Sequence, residues 1–320
     1  MALEEEHLPG AGERPRGGES HDASADHHCL DGLHARSIGE AGAGALADGD
    51  ARPWYEGAMS VFREDALAGK VAFVTGGGSG ICKGITEAFL AHGAKALITS
   101  RSQEKLDAAA AELAEEAGGE CFGVACDVRE PETVEKALDA ALERFGQIDI
   151  VVNGAAGNFL CPAAQLSYNA FKTVMEIDTL GTYNVSRAAF DKALKAGGGV
   201  ILNISATLHY GATPLQAHPS AAKAAVDSLT RSLAAEWGPL GIRVVGIAPG
   251  PIDDTEGMAR LMPEGMRNKI LAAIPLKRMG KIAEIGELAL FLCSDAAALI
   301  TGETVVADGG AWLGMGAFQL

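Results

Sequence analysis

An α/β fold of the doubly wound kind, a seven-stranded parallel sheet with helices on both faces, is what this 320-residue chain predicts. Three observations carry the expectation. From Lys70 onward, short β-branched and aliphatic runs alternate with longer Ala-rich stretches of helical period. Most of the short runs are apolar at nearly every position, so both faces of each strand need cover, as in a parallel sheet between helical layers. Each gap is long enough for a crossover helix, and no second core is in view.

The elements follow in order. Residues 71–75 (VAFVT) read as the first strand, then a glycine-rich turn and a helix over 84–92. Residues 96–100 give the second strand, and the Ala- and Glu-rich stretch 104–116 the second helix. A third strand over 121–127 leads into a helix over 130–145, with Pro131 in the first turn, where a missing amide hydrogen costs little. The strand 150–153 precedes a long helical stretch over 171–195. Strand 199–205, helix 221–238, strand 243–248, helix 283–294 and strand 304–307 complete the alternation.

Residues 1–52 differ from the rest. They hold 11 acidic and 4 basic side chains, five of the eight histidines, repeated Gly and Pro, and no apolar periodicity, which predicts a disordered acidic tail. Residues 53–320 are expected to form a single domain. The formal charge of −16 disfavours nucleic acid as a partner. Six cysteines at irregular spacing, with no CxxC pair, are expected to be reduced thiols, and no metal site is suggested. No apolar run approaches 18 residues, so stable membrane insertion is not expected and a soluble intracellular protein is.

The first strand runs straight into Thr75-Gly76-Gly77-Gly78-Ser79-Gly80-Ile81-Cys82 and then into a helical pattern. Glycines there let the backbone turn tightly and approach a pyrophosphate, whose charge the helix amino terminus stabilises. This is the expected cofactor end of a Rossmann-type fold, in the spacing Gly-x-x-x-Gly-x-Gly, except that Cys82 stands where the third glycine falls. After the second strand come Ser100-Arg101-Ser102. A guanidinium and hydroxyls suit a ribose 2′-phosphate, so NADPH is favoured over NADH. Asp127 and Val128 close the third strand, where the carboxylate could accept an adenine amino group.

With these residues, the Asn153-Gly154-Ala155-Ala156-Gly157 turn, Ser205, Lys223 and Pro249-Gly250-Pro251-Ile252 in order, the chain resembles the short-chain dehydrogenase/reductase family over about residues 68–312. The resemblance implies that the turn carrying Asn153, Ala155 and Gly157 backs the adenine ribose. It implies that Lys223 holds the nicotinamide ribose, and that Pro249, Gly250, Ile252 and Thr255 flank the nicotinamide. Two family positions depart: Asp178 replaces the usual catalytic Asn, and Pro219 replaces the Tyr four residues before Lys223. Proline cannot protonate an alkoxide, which a carbonyl reductase requires.

Residues 155–162, 166–175 and 248–252 look like the 2,4-dienoyl-CoA reductase branch, the peroxisomal type in particular. That resemblance implies NADPH-dependent reduction of an unsaturated fatty acyl-CoA in β-oxidation. It places Asp178 and Lys223 around a proton-delivering water, with Ser205 beside them. Phe159, Ser167, Tyr168 and Asn169 would line the acyl or pantetheine path, and Arg101, Arg129 and Arg260 are candidates for the coenzyme A phosphates. Tyr210, in the loop before the Lys223 helix, is either a second proton source or an aromatic prop; His209 and His218 are candidate water-positioning groups.

Two rival readings stay open: a catalytically inactive NADP-binding sensor or oligomer partner, and a 3-oxoacyl or other carbonyl reductase of the same family. The family implies a homo-oligomer. It also implies a peroxisomal location, although the chain ends Phe318-Gln319-Leu320, which matches a Ser-Lys-Leu-like tripeptide only in its leucine, and cytosol is the alternative.

Overall fold

The computed structural model describes residues 60–255, 257–258, 265 and 267–314; the predicted acidic tail and Arg260 lie outside them. The strands are β1 (Val71–Thr75), β2 (Lys95–Ser100), β3 (Cys121–Ala125), β4 (Ile150–Asn153), β5 (Gly199–Ile204), β6 (Ile242–Pro249) and β7 (Thr304–Ala307). They form one parallel sheet in the order β3-β2-β1-β4-β5-β6-β7. Strand order reverses between β1 and β4, so the carboxyl ends of these two strands open a crevice, the place where such sheets bind ligands.

Why these strands are apolar throughout is visible in how alternate residues divide. Ala72 and Val74 of β1, Ile150 and Val152 of β4, and Leu202 and Ile204 of β5 enter one core, with Ile85, Phe89, Leu106 and Leu290. Phe73, Val151 and Ile201, one residue out of step, enter the other, with Leu138, Val185, Leu233 and Trp237. A two-residue side-chain period places both sets inside when helices cover both faces. Phe73 and Phe89 are both fully buried, and truncating either to Ala should cost about 3–5 kcal/mol.

On the first face lie α1 (Gly80–Ala91), α2 (Gln103–Ala117) and α9 (Ile282–Cys293); the second carries α3 (Pro131–Phe145), α5 (Gly181–Ala189) and α7 (Ala217–Trp237). Short helices α4 (Tyr168–Val174), α6 (Lys195–Gly197) and α8 (Arg267–Ala273) complete the set described. Two boundaries differ from expectation in ways that matter. The long helix predicted over 171–195 is broken by π-helical segments at Met175–Leu180 and Phe190–Leu194. Helix α7 begins at Ala217, four residues before its predicted start, with Pro219 in its first turn; amides there have no intrahelical partner, so proline removes nothing.

Candidate active site

The cofactor end is built by the β1–α1 turn and the β4 turn facing each other. Gly76 adopts φ +71, and a Cβ there would press on the Gly154 carbonyl, so the close approach needs glycine. Thr75 ties the two turns: its hydroxyl accepts the Gly154 and Ala155 amides at 3.0 and 3.2 Å and donates to the Val152 carbonyl. Ser79, the N-cap of α1, makes no side-chain cap bond, and the first turn of α1 holds no acidic residue. Backbone N–H groups of Gly80 and Ile81 are thus left for an anion, while Gly77 and Gly78 form the floor over Ile98 and Leu106. The residues fit a dinucleotide pyrophosphate.

Cys82 explains itself against this turn. It is buried, and a Cβ on Gly154 would collide with its sulfur, so the thiol occupies the space that Gly154 leaves empty. Burial pushes the thiol up to about 12, against a smaller opposing effect of Lys223, so it stays a neutral packing group. At the end of β2, Arg101 is exposed and Ser102 caps α2 through the Lys105 amide. Val128 is buried. Asp127 is already engaged: Arg129 donates Nε–H and terminal N–H bonds to its two oxygens at 2.9 and 2.5 Å, which holds its carboxyl below the ordinary range. Of the three arginines expected to form a phosphate patch, Arg129 is therefore committed and Arg101 is the exposed one described.

The Asn153 side chain points away from the cleft, donating to Ser186 Oγ and Asn203 Oδ1 within the interior. Its turn reaches the site through backbone: the Gly157 amide donates to Asp178 Oδ1 at 2.7 Å. Asp178 lies in the first π-helical segment and is 1% exposed. Lys223 approaches from α7: its Nζ stands 3.1 Å from Asp178 Oδ2 and donates to the Ile204 carbonyl at 2.9 Å. One strand end and two helices thus hold a buried ion pair. At the end of β5, Ser205 is buried and its hydroxyl has no hydrogen-bond partner among the described residues. Buried polar atoms are nearly always satisfied, so this hydroxyl awaits a ligand or water.

Tyr210 is not brought to this pair. Its hydroxyl donates to Asp227 Oδ2 at 3.2 Å, its ring meets His209 and Trp312 edge-on, and burial, reinforced by Asp227, pushes the phenol up to about 12. The aromatic-prop reading is the one this geometry favours. His209 Nε2 lies 2.9 Å from the same Asp227 oxygen, and Thr304 donates to the other. Asp227 was missed in the sequence, although its place four residues after Lys223 puts both on one face of α7. The Pro249–Ile252 segment crosses beside β7; a Cβ on Gly250 would collide with Asp308, and Thr255 accepts from the Met258 amide.

Phe159 is 37% exposed and packs against His218, with the ring centroids 4.2 Å apart and the planes tilted by 32°. Ser167 caps α4 through the Ala170 amide, while Tyr168 and Asn169 are exposed beside it. Leu160 and Leu215 are partly exposed as well, and the Cys161 amide donates to the Leu215 carbonyl, which brings their two segments together.

Comparison with known proteins agrees with the fold. A family profile described as Enoyl-(Acyl carrier protein) reductase matches residues 76–311. The peroxisomal 2,4-dienoyl-CoA reductase of Danio rerio is 52% identical over 256 residues, covering 79% of this chain and 85% of that protein. The peroxisomal enzyme of that name from Saccharomyces cerevisiae is 48% identical over 254 residues, covering 78% and 87%. Among solved structures, a 3-ketoacyl-(acyl-carrier-protein) reductase from Brucella melitensis, complexed with NADH, superposes with a TM-score of 0.70 at 33% identity, covering 77% of this chain and 99% of that one. With its strand order, glycine-rich turn and lysine in place, the chain belongs to the short-chain dehydrogenase/reductase family and, within it, resembles the peroxisomal 2,4-dienoyl-CoA reductases.

Proposed function

We propose that the chain is an NADPH-dependent 2,4-dienoyl-CoA reductase of unsaturated fatty acid β-oxidation, yielding a trans-3-enoyl-CoA. The observation that carries this is the buried Asp178–Lys223 pair beside a proline where a proton-donating phenol would stand. The β1–α1 turn and Arg101 would hold NADPH, which when bound would supply the hydride that Cδ of the conjugated thioester receives. Negative charge then collects on the thioester oxygen, not on an alkoxide, so no phenol is required. Ser205 donates its free hydroxyl to that oxygen. Lys223 and Asp178 hold a water that protonates Cα, and the Phe159 rim receives the acyl chain.

The 48–52% identical relatives support the substrate class, and their printed names support a peroxisomal location for this chain. Exposed Phe171, Leu180 and Tyr183 along one helical run support association into a homo-oligomer. Purified full-length protein, NADPH and a 2,4-dienoyl-CoA should lose the nicotinamide and diene absorbances together, one for one. Binding of NADPH with no turnover would favour an inactive cofactor-binding protein, and consumption of only a ketone substrate would favour a carbonyl reductase.

A further inference from the structure

Asp227 is 3% exposed on α7, one turn after Lys223, and takes no part in the chemistry above. Two segments remote from it in sequence converge on its carboxylate. His209 Nε2 stands 2.9 Å from Oδ2, and the Tyr210 hydroxyl donates to the same oxygen at 3.2 Å, both from the loop that joins β5 to α7. Thr304, the first residue of β7, donates to Oδ1 at 3.3 Å. A carboxylate only accepts, so the His209 tautomer with its hydrogen on Nε2 is the one that fits. The far end of the same loop is bonded to the segment around Phe159: the Cys161 amide donates to the Leu215 carbonyl at 2.9 Å, and Asn158 Nδ2 donates to Gln216 Oε1 at 3.0 Å. Between the two ends, Thr213 donates to the Leu208 carbonyl at 3.1 Å. Leu215 holds φ +67, a left-handed conformation that a bulky side chain keeps only where its surroundings impose it.

We propose that Asp227 is a positioning residue for the acyl-CoA. Through His209, and secondarily through Tyr210, it fixes the β5–α7 loop, and the loop sets where the Phe159 segment stands to receive the acyl chain. The bond to Thr304 ties the same carboxylate to the sheet, so the loop is held against a rigid element as well as against α7. A buried carboxylate is costly unless donors surround it, and the three donors found here come from the loop and the strand that it joins together. Asp227 touches neither the reacting atoms nor the Asp178–Lys223 pair in this scheme; it acts through the placement of the loop. The Tyr210 bond is the longer of the two that reach Oδ2, so losing that hydroxyl alone leaves the His209 hold in place.

The role rests on the dienoyl-CoA reading, in which the Phe159 segment meets the acyl chain, and its test separates the two. Asp227→Leu removes both acceptor oxygens at similar volume. Asp227→Asn keeps an oxygen for His209 and Tyr210 and turns its amide to the Thr304 hydroxyl, which can accept. His209→Ala and His209→Gln form the same pair from the loop side, on a partly exposed residue, and decide the matter if the leucine variant does not fold. In the full chain, Asp227→Leu and His209→Ala should each raise KM for a 2,4-dienoyl-CoA roughly tenfold, the equivalent of one net hydrogen bond. kcat and the Kd for NADPH should stay within about twofold, because the groups at the reacting atoms are unaltered. The Asn and Gln variants should return KM to near the unmutated value. Hydrogen exchange follows the loop without substrate: the Tyr210 amide, bonded to Thr207, and the Cys161 amide, bonded to Leu215, should exchange faster in the Leu and Ala variants and not in the other two. Unchanged KM or exchange in both disruptive variants, a loss carried by kcat or NADPH binding instead, or failure of Asn and Gln to restore KM would overturn the role of Asp227. No dienoyl-CoA turnover by the unmutated protein, with exchange responding as stated, would instead overturn the functional reading and leave the hold of Asp227 on the loop standing.

Discussion

Lys223 and Asp178 are sealed from solvent 3.1 Å apart, so removing either leaves the other charge buried without its partner. Asp178→Ala and Lys223→Ala should each lower turnover by roughly 10²-fold or more, because both are proposed to hold the proton-delivering water. Tyr210→Phe should change little, since that hydroxyl is bonded to Asp227; steady-state kinetics on the three variants check this, and a large Tyr210→Phe loss would move the proton source to the phenol. At the cofactor end, Arg101→Asp removes the cation expected to meet a 2′-phosphate. A charge-assisted hydrogen bond worth about 1.5–3 kcal/mol corresponds to a loss of roughly 10- to 100-fold in preference for NADPH over NADH, measurable as the ratio of kcat/KM values. Single-residue chemistry was legible where a motif fixes the position, as for Lys223. It was not legible where a partner is remote in sequence, as Asp227 is from Tyr210, and the Asp127–Arg129 pair, though only two residues apart, is settled by side-chain geometry that a sequence does not show.

At the scale of elements, strands β1, β4 and β7 begin and end where the apolar runs do, because burial on both faces leaves little freedom. Helix ends were harder to place. Periodicity does not reveal a π-helical insertion, which adds a residue to a turn without changing composition, and a proline inside a helical stretch signals a stop unless it falls in the first turn. The Cys82–Gly154 contact shows two elements adapting to each other. Gly154→Ala alone should overpack the turn and destabilise the protein by about 1–3 kcal/mol, and adding Cys82→Gly should recover much of that. Denaturant unfolding with and without NADPH measures both terms; a strictly additive double variant would show that the two positions do not share that space.

For the molecule as a whole, the alternation of apolar runs and Ala-rich stretches was enough to specify a parallel sheet with two covered faces. How copies associate is not written in a period. Leu180 is 52% exposed and Tyr183 42%, a concentration of large apolar surface on one helical run that calls for an explanation. Tyr183→Glu should lower the native mass seen by light scattering, and an unchanged mass would remove that face from the proposed oligomer. The molecule also carries a formal charge of −16 and is proposed to bind an anionic acyl-CoA, so the Lys223 ammonium and exposed Arg101 have to act locally against the overall field. The whole reading meets at one atom, Cα of the thioester, where charge relayed from Cδ is quenched by solvent-derived hydrogen. The direct measurement is product analysis by mass spectrometry and NMR after turnover of a 2,4-dienoyl-CoA with NADPH in deuterated water. One deuterium at Cα of a trans-3-enoyl-CoA is the expected result; an untouched diene, deuterium at Cγ, or reduction confined to ketone substrates would contradict it.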